Sequence, residues 1–254
     1  MKWLLALLLA ALPATLAAQT RDPILVPEIS QHEVRVRQGF TGTELLLYGA
    51  ILDPRGQQAS GEYDIVVVLK GPTSAVRIRE KERVAGVWVN ADSSDFRSVP
   101  SYYALASSRP IGDIVGPRTA AIYELGVNYL QLSPTGRIDP EEQTRFSAGL
   151  VDLRRREGLY REDDDGVTIS DNVLYQARIA LPSSVQVGTY TAETFAIADG
   201  RVIASATAEV QVVKEGFERV VADRAEDSPF LYGLFALFLS LFMGWAAGRV
   251  FQYV

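Results

Sequence analysis

The chain has 254 residues, 48% apolar and 22% charged, with no Cys and one His. Without Cys there is no disulfide framework, no lipoprotein anchor, no thiolate metal site and no thiol nucleophile. One imidazole (His32) leaves little from which to build a multi-His metal site or a His-based triad. The 25 basic residues against 31 acidic, net −6, argue against a nucleic-acid partner.

Residues 1–18 read as a signal peptide. Lys2 supplies a minimal positive start, and Trp3 to Leu12 is an unbroken apolar run too short to cross a bilayer. Pro13 breaks it, and small residues follow at Ala14, Ala17 and Ala18, as signal peptidase requires. From Glu33 to Asn90 the pattern is that of strands. Val34, Val36 and Phe40 alternate with Arg35 and Arg37. Thr43 to Leu52 is apolar on both faces and reads as a central strand. Asp53-Pro54-Arg55-Gly56 is a turn signal, and Tyr63 to Leu69 is again apolar throughout. Val76, Ile78 and Val84 then alternate with Arg77, Arg79, Lys81 and Arg83, predicting a strand near a sheet edge with one wet face. Val87 to Asn90 reads as a short further strand.

Between about 110 and 165 the period lengthens. Gly116-Pro117 opens a helical stretch with Ile122, Leu125, Tyr129 and Leu132 on one face, ended by Ser133-Pro134. A second helix has Asp139 as N-cap, Pro140 at N1, and Glu141 and Glu142 in the first turn. Phe146, Leu150 and Leu153 form its stripe, Arg154 to Arg156 its last turn and Gly158 its cap. The acidic run Arg161 to Gly166 reads as a solvated loop; counted as a calcium loop it puts Arg161 first and Asn172 last, and the frame fails. Strands return at Asn172. Val173 to Leu181 alternates, a strand follows to Ala198, and Asp199-Gly200 marks a tight hairpin. Val202, Ala204, Ala206, Ala208, Val210 and Val212 then share one face. The expected fold is mainly β with a helical insertion: an Ig-like β-sandwich over residues 19–215, followed by one C-terminal transmembrane helix. Two small domains are the alternative architecture. Tyr190, just inside a late strand after Gly188, sits where a tyrosine corner would.

Residues 216–227 read as a juxtamembrane stem. Ser228 to Gly248 carries no charge, and at about 1.5 Å per residue such a run is about 31 Å long, enough to span the hydrocarbon core. Asp223, Glu226 and Asp227 precede it and Arg249 closes it. That polarity places the N-terminal side outside and residues 250–254 in the cytoplasm. The segment between the two greasy ends carries 23 basic and 31 acidic residues, net −8, so charge alone will not hold it on anionic lipid. Within the span, Ala236, Ser240, Gly244 and Gly248 recur every four residues and form a small-residue face suited to a helix–helix contact. Tyr232, Trp245 and Tyr253 suit interfacial anchoring.

Arg77, Arg79, Lys81 and Arg83, with Arg35 and Arg37 on a neighbouring strand, are the candidate anion- or partner-binding residues. The plainer reading is a charged edge that blocks aggregation. No GxSxG, HExxH or P-loop pattern occurs, and no catalytic residue, cofactor or metal is implied.

The stretches Glu33–Ala50, Asp64–Pro72, Gly86–Asn90, Val99–Pro110, Leu181–Tyr190 and Leu231–Phe251 together resemble an uncharacterised family of predicted transmembrane proteins from alphaproteobacteria. The resemblance implies an inner-membrane protein with a periplasmic domain, and it carries no catalytic residues to transfer. The expected function is non-enzymatic: a single-pass inner-membrane protein, N-terminal domain periplasmic, acting as a binding or scaffold module accessory to a membrane transporter or envelope complex. Its partners are the bilayer and another membrane protein or a second copy. Alternatives are a periplasmic anion or small-ligand binder using the basic strand face, and a membrane-anchored hydrolase with a site in the helical insertion.

Overall fold

Strands that are apolar on both sides need cover on both sides, and two sheets packed face to face supply it. A computed structural model describes residues 23–251 except 38, 53–62, 137–138, 217–220 and 222–223. The expected signal peptide, the expected turn at 53–56, half of the expected stem and the last three residues lie outside the described residues.

The strands are β1 (Ile24–Ile29), β2 (Glu33–Val36), β3 (Gly42–Leu52), β4 (Asp64–Lys70), β5 (Thr73–Val84), β6 (Val87–Pro100), β7 (Tyr103–Ser107), β8 (Tyr160–Asp163), β9 (Val167–Ser170), β10 (Leu174–Pro182), β11 (Gly188–Ala198) and β12 (Arg201–Lys214). One sheet has the order β1-β3-β10-β9 and the other β2-β12-β11-β4-β7-β8, with β5-β6 forming a separate ribbon. The first strand is split between the sheets. β1 runs antiparallel to β3, and β2 crosses over to lie parallel to β12. This is an Ig-like β-sandwich. Between the sheets lie Leu45, Leu47 and Ile51 of β3, Ile65, Val67 and Leu69 of β4, Tyr175, Ala177 and Ile179 of β10, Ala192 and Ala196 of β11, and Val210 and Val212 of β12, all buried. Val66 and Val68 of β4 and Phe195 of β11 are buried on the opposite face of their sheet, where Phe195 meets the Tyr123 ring edge-on.

The predicted central strand holds its place, β3 lying between β1 and β10; β4, read from the sequence as apolar throughout, lies between β11 and β7. β4 is buried on both faces, whereas the outer face of β3 is half-exposed, with Tyr48 in solvent. Asp199 and Gly200 both take positive φ (50° and 71°), the hairpin turn their sequence predicts. The Tyr190 hydroxyl donates to the Gln186 carbonyl at 2.8 Å, closing a tyrosine corner at the entry to β11.

The helical segment between β7 and β8 comprises α1 (Ile111–Ile114), α2 (Pro117–Tyr123), a 3-10 turn (Val127–Tyr129) and α3 (Pro140–Arg156). Asp139 caps α3 as predicted, its carboxylate accepting from the Glu141 N–H at 2.9 Å. Three expectations change here. The helix expected to reach Leu132 stops at Tyr123, because Glu124 turns left-handed (φ 53°) and its side chain is taken by Lys70 and the Gln131 N–H. Leu153 is exposed, and Val151 packs beneath α3 with Phe146 and Leu150. Arg161 to Asp163 is not a loop. It belongs to β8, which lies parallel to β7 with Tyr160 buried and three charged side chains outside. The turn falls on Asp164 and Asp165. Residues 224–227 are helical, and α4 (Pro229–Phe251) follows.

Candidate functional site

The chain from Asp64 to Ser107 is one long hairpin whose lower half is sheet and whose upper half leaves it. β4 and β7 pair up to Lys70 and Tyr103. The ladder continues without a break through Gly71 N–H to Tyr102 O (2.9 Å) and Ser101 N–H to Pro72 O (2.9 Å), and then becomes β5–β6 from Thr73 and Pro100 onward. The strand predicted near a sheet edge is therefore one side of a projecting arm. Both faces are wet along its outer half, since β5 has β6 alone as its ladder partner among the described strands.

Side-chain hydroxyls gather at the root of this arm. Tyr102, Tyr103, Tyr160 and Tyr190 are buried, and each donates to a backbone carbonyl: Ala180, Glu124, Pro100 and Gln186, at 2.7–2.8 Å. Burial pushes all four phenols above their ordinary pKa, so they stay protonated donors. Lys70, the last residue of β4, binds Glu124 at 2.8 Å and Glu193 of β11 at 3.2 Å, joining the helical segment to the sheet. Burial alone would lower the Lys70 ammonium, but hydrogen bonds and charge from the two carboxylates hold it above its usual range. Burial likewise pushes the Glu124 carboxyl up, and the Lys70 bond, the Gln131 N–H and the Lys70 charge together bring it below its usual value. Glu162 receives the Val127 N–H at 2.9 Å and Arg155 at 2.7 Å. These shifts favour the charged forms, the mark of structural ion pairs rather than of poised acids and bases.

Further out, Val76 and Ile78 rest on the core, and Phe96 and Val99 are buried. Thr135 N–H donates to Asp95 O and Arg97 N–H to Ser133 O, tying β6 to the segment before α3. Arg145 of α3 reaches Asp92 at 3.2 Å and Glu80 at 3.3 Å. Arg77 forks onto Asp95 (2.6 and 2.8 Å), which holds that carboxyl below its usual range. Beyond a bulge at Glu80/Lys81 every residue to Asn90 is exposed, and the strands turn at Ala85-Gly86, both with positive φ.

Cross-strand register places Arg77 with Asp95, Arg79 with Ser93, Lys81 with Asn90 and Arg83 with Trp88 on one face, and Val84 with Val87 on the other. The predicted basic row is thus confined to the arm. Arg35 and Arg37 lie elsewhere, on and just beyond β2, paired with Glu33 and Glu215. Within the row Arg77 is neutralised by Asp95, while Lys81 and Arg83 stand next to an apolar tip of Val84, Val87, Trp88 and Val89. Trp88 is 65% exposed. Sequence reasoning singled out the cations and missed this tip. The signal was Val-Trp-Val beside Ala-Gly, a hairpin apex opening the 14-residue β6 where the sequence predicts only a short further strand over Val87 to Asn90.

Two clefts flank the helical segment. The larger, about 530 Å³, lies between α3 and the 127–132 segment, lined by Leu132, Ser147, Asp152 and Arg155. Its one carboxylate, Asp152, is bound by Arg156 at 2.6 Å.

α4 holds the predicted small-residue face, Ala236, Ser240, Gly244 and Gly248, and a Cβ added at Gly244 or Gly248 would meet nothing. Pro229–Arg249 is long and apolar enough to cross a membrane. None of that stretch is buried, and it is far from the N-terminus, so it is neither a soluble core helix nor a leader. Phe238, Phe242 and Trp245 stack along it.

No curated protein matches the chain. Residues 24–253 match the family described as "Putative transmembrane protein (Alph_Pro_TM)". That match runs through the whole sandwich, the arm and α4, and so the chain belongs to this family of membrane proteins.

Proposed function

We propose that this is a single-pass inner-membrane protein whose Ig-like domain stands in the periplasm and serves, without catalysis, as a binding or scaffold module for a membrane transporter or envelope complex. The observation that carries this reading is α4: a charge-free span exposed along its length, preceded by Glu226 and Asp227 and closed by Arg249. Its charge order favours a cytoplasmic C-terminus, and the leader-like N-terminus supports the same orientation independently. In lipid, apolar burial does not drive helix association, so close backbone approach at Ala236, Ser240, Gly244 and Gly248 is what this face offers another membrane helix.

Two measurements test the reading. Green fluorescent protein fused after Val254 should fluoresce, and alkaline phosphatase fused there should be inactive; the reverse result overturns the orientation. Gly244→Leu should weaken association several-fold in a membrane two-hybrid or crosslinking assay, by about 1 kcal/mol. Unchanged association would remove the helix–helix contact from the proposal.

A further inference from the structure

We infer that the tip of the β5–β6 arm is a second membrane contact: Trp88, Val84, Val87 and Val89 enter the headgroup region of the bilayer that holds α4, with Lys81 and Arg83 meeting lipid phosphates. The inference rests on α4 being membrane-inserted and on nothing else in the proposed function.

The topology points the arm that way. β12 leaves the sandwich at Lys214 toward α4, and Val212 pairs with Gly188. Pro72, where the arm begins, lies against Gly188: a Cβ added there would come within 3.0 Å of the proline ring. The arm and the exit to the membrane helix thus spring from the same end of the sandwich. Because the ladder runs unbroken from β4–β7 into β5–β6, the arm continues beyond that end in the direction of β4, with two bulges adding bend and twist.

The reach fits. The 12 residues of β5, at about 3.3 Å each, are about 40 Å long. With residues 224–227 helical, a connection as long as residues 215–228 spans about 21 Å if the remainder is helical too and about 39 Å if the remainder is extended, an upper reach that matches the arm.

The chemistry fits as well. Trp at an apolar tip is the side chain that settles at a membrane–water interface, and the neighbouring valines bring apolar area without charge. Lys81 and Arg83 sit just behind, against one carboxylate, Glu82, on the same outer stretch. The tip is therefore a basic point on an acidic domain, and it offers anionic headgroups the one local attraction that the net −8 body lacks. Exposed Val84, Val87 and Trp88 at a hairpin apex otherwise invite aggregation, which burial in lipid removes.

The test uses the full chain reconstituted into vesicles of phosphatidylethanolamine and phosphatidylglycerol containing phosphatidylcholine brominated on its acyl chains. In a Trp3→Phe/Trp245→Phe background Trp88 is the single reporter, since the chain has three Trp. Its emission should shift to the blue and be largely lost when bromine lies near the headgroups, less so when bromine lies deep. Val87→Asp should restore the emission. Emission that is blue-shifted but not quenched would mean that protein covers the tip, and red, unquenched emission would mean that water does; either overturns the inference. The companion Trp3→Phe/Trp88→Phe protein reports Trp245 in α4. If Trp245 is quenched and Trp88 is not, the arm fails alone; if neither is quenched, membrane insertion of α4 fails and the inference falls with it.

Discussion

Gly49→Ala should destabilise the sandwich severely. Gly49 lies in β3 opposite Pro27 of β1 and Tyr175 of β10. A Cβ there would come within 2.3 Å of the Val26 carbonyl oxygen and 2.6 Å of the Tyr175 hydroxyl. Neither neighbour can yield, since Val26 lies in the β1–β3 ladder and Tyr175 is buried between the sheets. Relief requires parting β1 from β3 or moving a core tyrosine, at about 3–5 kcal/mol, a large share of the roughly 5–15 kcal/mol that holds a domain together. Urea unfolding of the full chain in detergent, followed by near-ultraviolet circular dichroism, measures it. Gly149→Ala is the control: it lies inside α3, where an added Cβ meets nothing, and should gain about 1 kcal/mol from helix propensity. A Gly49→Ala protein as stable as wild type would show that the packing of β1 on β3 is looser than described.

Lys70→Met should have the second-largest effect, and one that depends on pH. It leaves Glu124 and Glu193 facing each other, both partly buried, without their cation. The expected loss at neutral pH is about 2–4 kcal/mol. Lys70→Met/Glu124→Gln should recover part of it, because the amide still accepts from the Gln131 N–H. The signs follow from linkage. In the wild type the lowered pKa of Glu124, and of Asp64 held by Arg109 and Ser108, contributes stability that is present above the ordinary carboxylate range and lost as pH falls through the folded-state values. The raised pKa of Lys70 contributes stability lost only as pH rises beyond the ordinary lysine range. In the variant, burial raises the Glu124 carboxyl against the Gln131 N–H bond alone, without the cation. The gap between the proteins should therefore narrow from pH 7 to about pH 4. A gap that stays constant would mean that Lys70 acts through packing of its stem rather than its charge.

Much of the fold was legible because the buried strands say what they are. The apolar run at β4, the alternation of β10 and β12, Asp199-Gly200 and Asp139-Pro140 each carry a local reason for their structure. What stayed hidden was set by distant partners. β8 offers Tyr160 and three charges, and becomes a strand because β7 lends it a ladder. β1 contains Pro27 and lies at a sheet edge, where a missing N–H is tolerated. β6 runs through Ala91-Asp92-Ser93-Ser94-Asp95, a polar stretch without strand character, because β5 pairs with it throughout. The cations at Arg77 to Arg83 were visible as a pattern, but the Asp95 and Arg145 contacts that divide them from the tip lie 18 to 65 positions away in sequence, beyond the reach of any local period. The small-residue face of α4 was fully legible, since a helix in lipid owes its pattern to its own spacing.

The split first strand has a mechanical consequence. β12 hands the chain on toward the membrane anchor, and it is gripped on both sides: by β11 along most of its length and by β2 at Gln211 to Lys214, the rungs nearest the exit. Those rungs run across the strand, so a tug on the anchor loads them together in shear instead of peeling them one by one. A domain tethered in this way resists drag best along the axis of its own leash.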